Sequence, residues 1–185
     1  VLVSRLRRCL RPVVGDCPDP SVRGGEGRYL LTLPPGSVVD WERARAALHR
    51  AETLAARAAW PEALAEARVA VEIAARGFLP GEGGEWVEGQ RRLLAEARVH
   101  ALACTVRAEL ARGNAALAER EAELLVALAP LREEGHRLLM RSLAAGGNRG
   151  EVAAAYARCR RLLRERVGVD PAPETERLRV ELVGS

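Results

Sequence analysis

The sequence contains no lysine: all 29 basic residues are arginine. With Ala, Gly and Val so abundant, this bias reflects GC-rich coding more than a selected chemistry. Aromatic side chains make up only 3% of the 185 residues, so Ala and Leu must fill the interior. Small residues let helices approach closely, which suits stacked helical hairpins better than a β-sandwich. No apolar run approaches the roughly 20 residues that span a bilayer, and no signal-peptide pattern is present. A membrane partner is therefore not expected. The four cysteines (Cys9, Cys17, Cys104 and Cys159) include no CxxC pair, which argues against zinc and for reduced thiols in a cytoplasmic protein. His49, His100 and His136 lie far apart without HExxH spacing, so no metal site or catalytic triad is expected. The glycine-rich stretches 24–27 (GGEG) and 81–84 (GEGG) lack the Lys-Ser/Thr of a phosphate loop and read as loops. Acidic residues are plentiful, but no pair falls in a plausible cleft. The expectation is a chain with no cofactor that is not an enzyme.

What is present points to a folded helical protein. Hydrophobic residues make up 48% and charged residues 29%, well spread, which argues against disorder. The length fits one domain of ordinary size, or one domain carrying a small fragment of another. Residue 1 is Val rather than Met, so a fragment, or a start within a longer frame, is expected. Residues 1–10 (VLVSRLRRCL) read as helix, with Leu2, Leu6 and Leu10 at four-residue spacing. Residues 12–27 are rich in Gly, Pro and Asp and read as loop. Residues 28–33 (RYLLTL) suggest a strand, the Pro34-Pro35-Gly36 run a turn, and residues 37–39 a short return strand.

From Asp40 the pattern turns helical. Asp40 is a good N-cap, and Trp41, Ala44, Leu48, Ala51 and Ala55 trace one face. Pro61 suits the first turn of a second helix ending near Arg76. A long helix from about Glu85 to Ala111 carries two apolar stripes, Leu93/Ala97/Ala101/Cys104/Ala108 and Val99/Leu102/Val106/Leu110, so it should pack on both sides. Helices then follow to Ala129, over 131–145, over 149–167 and over 174–182. Trp41, Trp60 and Trp86, at or near helix starts, read as packing anchors.

Gly113-Asn114 and Gly147-Asn148 lie 34 residues apart, and the same offset relates Ala118 to Val152, Ala122 to Tyr156 and Leu125 to Cys159. Thirty-four residues is the period of the tetratricopeptide repeat (TPR), a helix–turn–helix unit that stacks into a solenoid. A looser copy 55 residues earlier sets Ala63 and Ala67 against Ala118 and Ala122. Three hairpins and a capping helix result, an all-α TPR-like array. Taken alone, such an array supports only an interaction scaffold.

Residues 130–174 are more specific. The Pro130-Leu131-Arg132-Glu133 start, Leu138-Leu139-Met140, Gly146-Gly147, Tyr156 and the Val167-Gly168-Val169-Asp170-Pro171-Ala172-Pro173-Glu174 ending resemble the bacterial transcriptional activator domain of Streptomyces antibiotic regulatory proteins. The residues 38–41 (VVDW) are similar to the family's entry into that domain. Upstream, Val3-Ser4-Arg5-Leu6-Arg7-Arg8 resembles the recognition helix of OmpR-type winged-helix domains, and the expected hairpin resembles their wing.

The resemblance implies a partial winged-helix DNA-binding region over 1–39, truncated at its start, and an activator domain over 40–185. DNA contacts would come from Ser4, Arg5, Arg7, Arg8, Arg11 and Arg28, since Arg pairs with phosphate or bidentately with guanine. From charge alone the cluster Arg5, Arg7, Arg8 and Arg11 reads as a solvated helix face. The run Arg158, Arg160, Arg161, Arg164 and Arg166 reads the same way. The implied function is a transcriptional activator that binds promoter DNA through the complete winged helix. RNA polymerase or another protein is the implied partner of the array, with a homodimer as a further possibility. The alternative is a stand-alone TPR-like interaction module that does not bind DNA.

Overall fold

The computed structural model describes residues 22–25, 28–33 and 36–184. The chain divides between Val39 and Asp40 into two units. In the first, β1 (Val22–Gly25) and β2 (Arg28–Leu31) pair antiparallel, with Val22 opposite Leu31 and Gly25 opposite Arg28. This hairpin is not the expected one. Its first strand falls in the stretch read as loop, and residues 37–39 form no strand. Two adjacent prolines supply no N–H to a ladder, so a strand returning directly behind them starts poorly. A two-residue connection between Gly25 and Arg28 is the length that matches strand twist. The helix expected over 1–10 lies outside the described residues.

The second unit holds seven helices among the described residues. They are α1 (Asp40–Ala56), α2 (Trp60–Ala75), α3 (Glu85–Ala111), α4 (Ala115–Leu128), α5 (Glu133–Ala145), α6 (Arg149–Val167) and α7 (Pro173–Gly184). Each packs on the next, and α1, α3, α5 and α7 touch in succession. Three hairpins (α1–α2, α3–α4 and α5–α6) are thus stacked and closed by α7, the expected TPR-like array. A hairpin of this kind cannot bury its apolar face alone, and stacking completes the core.

The three turns share one hydrogen-bonding scheme. After α3, Asn114 N–H donates to Glu109 O (2.9 Å) and Gly113 N–H to Leu110 O (3.0 Å). After α5, Asn148 donates to Leu143 O and Gly147 to Ala144 O, both at 2.9 Å. These are Schellman caps, which need a left-handed residue just past the helix. Gly113 (φ 77°) and Gly147 (φ 80°) supply it without a Cβ penalty. After α1 the same bonds run from Ala59 to Leu54 O and from Ala58 to Ala55 O, but the left-handed residue is Ala58, at φ 55°. The 55-residue offset inferred from Ala63 and Ala118 therefore also superposes the turns.

Side-chain size changes along the stack. Around the first hairpin the helices meet through small groups: Ala47, Ala70 and Ala101 in one cluster, Ala51, Ala67 and Cys104 in another. Farther along, Leu102, Val106, Leu125, Leu139, Met140 and Tyr156 build the main core. Each Leu or Met buried there contributes about 1.5–3 kcal/mol relative to exposure. Both expected faces of α3 are used, one against α1 and α2 and the other against α4 and α5. Two details differ from expectation. Leu93 and Trp86 are 53% and 65% exposed. They sit on the first turns of α3, which at 27 residues outruns the 17 of α1 and 14 of α4 and leaves its start uncovered. Trp86 instead meets Phe78 edge-to-face, with ring centroids 5.5 Å apart.

Candidate interaction surface

The residues 130–174 that carry the family pattern are brought together, and mostly for a structural task. Glu133, at the first turn of α5, accepts the Ala172 N–H (2.9 and 3.1 Å to its two oxygens) and the Thr175 hydroxyl (2.6 Å). Thr175 is fully buried and also accepts from Arg137 Nη1 at 3.0 Å. Here the left-handed Gly168 ends α6, and the Pro-Ala-Pro run carries the chain back across α5 to start α7. Asp170 stays outside and accepts from Arg164 (2.7 and 3.0 Å) and Arg160 (3.3 Å). Those guanidinium bonds, Arg164 foremost, hold its carboxyl below the usual value. Leu138, Leu139 and Met140 are core, and buried His136 donates through Nε2 to Pro130 O at 2.8 Å. Arg132 reaches across to Glu96 on α3 at 2.6 Å.

A second polar node was not foreseen. Glu109 on α3 is 0% exposed and accepts from Arg68 Nη2 (2.8 Å), Asn114 Nδ2 (2.7 Å) and Arg112 Nη1 (3.3 Å). It ties α2 to α3 and braces the turn that follows. The repeat register carried the signal: Glu109 occupies the place held by Leu54 and Leu143 in the other two turns, where apolar side chains are the rule.

The open face is arginine-rich. A groove of about 440 Å³ between α3 and α5 is lined by Arg107, Leu110, Arg137, Leu138 and Arg141, with Trp60 of α2 at its edge. Arg107 pairs with Glu134 across it, whereas Arg141 has no ion pair among the described residues. Apolar floor, aromatic edge and unspent positive charge together fit an acidic peptide segment. On α6, all five arginines of the expected solvated run are exposed. Arg160 and Arg164 are held by Asp170, and Arg158, Arg161 and Arg166 have no ion pair among the described residues.

Of the candidate DNA-contacting residues, Ser4, Arg5, Arg7, Arg8 and Arg11 lie outside the described residues, and Arg28 opens β2 opposite Gly25. His49 and His100 are exposed on α1 and α3, apart from His136 on α5. No group of three or more metal-binding side chains occurs among the described residues, and no helix there is long and apolar enough to cross a membrane. Cys104 and Cys159 are buried free thiols; burial pushes Cys159 up to about 11 and raises Cys104 as well. Neither is a poised nucleophile.

Stacked hairpins, a closing helix and a charged groove define a helical-repeat scaffold whose business is binding. The chain belongs to the bacterial transcriptional activator domain family, whose pattern matches residues 39–183. The family expected from residues 130–174 is thereby borne out. The chain is 32% identical over 186 residues to the regulatory protein AfsR of Streptomyces coelicolor, covering 97% of this chain and 17% of that protein. It is 34% identical over 187 residues to AfsR of Streptomyces griseus, covering 97% of this chain and 18% of that protein. It thus spans less than a fifth of these relatives. In fold it resembles Mycobacterium tuberculosis EmbR, solved in complex with a low-affinity phosphopeptide. There the TM-score is 0.77 at 23% identity, covering 98% of this chain and 48% of that one.

Proposed function

We propose that this chain is the part of a transcriptional activator that joins a winged-helix DNA reader to a TPR-like protein-binding array. The observation that carries this is the similarity to AfsR, which takes in 97% of the chain and so reaches into the arginine-rich stretch ahead of residue 39. In this reading residues 1–39 supply the end of a recognition helix and a wing, and residues 40–185 the activator domain. Ser4, Arg5, Arg7, Arg8 and Arg11 face DNA and Arg28 lies on the wing. Arginines so placed add affinity through phosphate neutralisation and specificity through guanine edges. The array, acting in the cytoplasm, offers the Arg107–Arg141 groove to RNA polymerase or another protein and supports a homodimer. That EmbR was solved with a phosphopeptide supports a peptide or protein partner for this face.

The test is an anisotropy titration of pooled genomic promoter fragments over a salt series. It uses this chain and the same chain extended by its upstream reading frame. The extended chain should bind with affinity falling steeply as salt rises. Replacing Arg5, Arg7, Arg8 and Arg11 by Ala should flatten the log–log slope by about one for each phosphate no longer neutralised. Binding that is undetectable or indifferent to salt in both would overturn the DNA-reading part. A stand-alone interaction module, consistent with the repeat architecture, would then remain.

A further inference from the structure

Away from the groove, a pocket of about 370 Å³ opens between the end of α2, the loop after it, the first half of α3 and the end of α4. Its walls are mainly apolar, including Phe78, Leu94, Val99 and Leu128, and two arginines of α3 enter them. The two arginines differ in one respect. Arg91 is saturated: its guanidinium donates to Phe78 O (3.0 Å), Leu79 O (2.6 Å), Glu82 O (2.9 Å) and Glu88 (2.5 Å). Arg98 is half-buried, its Nε is shut off from water without a hydrogen-bond partner, and it has no ion pair among the described residues. A desolvated donor left unpaired is costly, and buried polar groups in folded proteins nearly always find an acceptor. Arg91, about two turns earlier on the same helix, shows that carbonyls can be supplied to a guanidinium here. None is supplied to Arg98.

We propose that this pocket is a binding site for a small monocarboxylic acid with an apolar body, whose carboxylate takes the free Nε edge of Arg98. The volume lies at the lower end of ordinary ligand sites, which fits a medium-chain or single-ring acid. The charge count selects a monoanion: Arg91 is already neutralised by Glu88 and its carbonyls, which leaves one positive charge uncompensated. A dianionic phosphate would find only half of its charge met. Guanidinium geometry also favours a planar, two-oxygen acceptor. A bound acid would bridge α2, α3 and α4, and so tie the first hairpin to the second.

The proposal is tested on the full 185-residue chain with sodium octanoate as probe, following the amide shifts of Ala74, Ala95 and Val99. Octan-1-ol serves as the uncharged control. Octanoate should saturate these shifts at millimolar concentration or below, and octanol should bind roughly tenfold or more weakly, as loss of a charge-assisted hydrogen bond implies. Arg98→Met should bring octanoate down to the level of octanol and leave octanol unchanged, which also reports that the pocket is intact. Ala95→Phe, at the exposed mouth, should weaken both. Absence of saturable shifts with octanoate overturns the site. Equal affinity for the two probes in the wild-type chain overturns the carboxylate assignment even if Arg98→Met does not fold. Octanoate binding that survives Arg98→Met overturns it as well.

Discussion

Replacing Glu133 by Ala should release α7 well before the rest of the array unfolds. In the structure the carboxylate holds two donors of the chain segment that starts α7, the Ala172 N–H and the Thr175 hydroxyl. A hydrogen bond to a charged acceptor is worth about 1.5–3 kcal/mol, so the pair has a ceiling of about 3–6 kcal/mol. Glu133 is only half-buried, and water can reach part of what the mutation vacates. A loss of about 2–4 kcal/mol is therefore expected, within the usual range for breaking a partly buried polar network. In a stacked array this loss falls on the local opening of the terminal helix rather than on one global transition. At tenfold per 1.4 kcal/mol, amide exchange along α7 should accelerate by a factor of roughly 30 or more. Exchange in α1 and α2 should hardly move. Glu133→Gln retains one acceptor oxygen and should fall between. Hydrogen exchange read by mass spectrometry on peptides covering 173–184 measures this directly. If α7 in Glu133→Ala exchanges within a factor of about two of wild type, the clasp is not what holds the helix, and the reasoning fails.

Three further outcomes follow from the same geometry. Ala58→Gly should raise the melting temperature, because the left-handed conformation costs a non-glycine residue about 1–2 kcal/mol, more than the chain entropy glycine adds. Gly113→Ala should lower it by a comparable amount, and equal effects of the two substitutions would refute the shared turn geometry. Glu109→Leu, which restores the residue type found at 54 and 143, should cost little or even stabilise in thermal denaturation, since apolar replacement of a buried ion cluster is often neutral or favourable; a loss above about 3 kcal/mol would show that the cluster is indispensable. Asp170 should titrate below its ordinary value by carboxyl NMR, and Arg164→Ala should raise the midpoint. The sign follows from linkage: a depressed carboxylate stabilises the fold above its unfolded value, and that contribution disappears as pH falls through the lower folded value. A midpoint unmoved by Arg164→Ala would contradict the pairing.

The array was legible in the sequence because repetition amplifies weak signals. Gly113 and Gly147 mark two turns, and the same 34-residue offset links three pairs of positions that prove buried: Ala118 with Val152, Ala122 with Tyr156, and Leu125 with Cys159. The first turn was harder to read, since Ala58 stands where glycine was the cue. The wing-like hairpin was misplaced because Val-Arg-Gly-Gly carries almost no strand pattern, and the stronger apolar run at 28–33 drew its partner to the wrong side. Tertiary polar contacts were the least legible. Glu133 was recognised as part of a family pattern, yet nothing local says that it meets Ala172, 39 residues on. Glu109 and Arg98 look like ordinary helix charges until neighbouring helices bury one and strand the other.

The length of α3 has a mechanical consequence. Its 27 residues form a rod about 40 Å long, unbroken by proline and with a single glycine, Gly89, near its start. Arg91, Leu94 and Arg98 on its leading half line the apolar pocket, whereas Arg107 and Leu110 on its trailing half line the arginine groove. The two concavities therefore share one stiff lever. A tilt of about 5° about one end would carry the other through about 3.5 Å, the scale on which one side chain meets or leaves another.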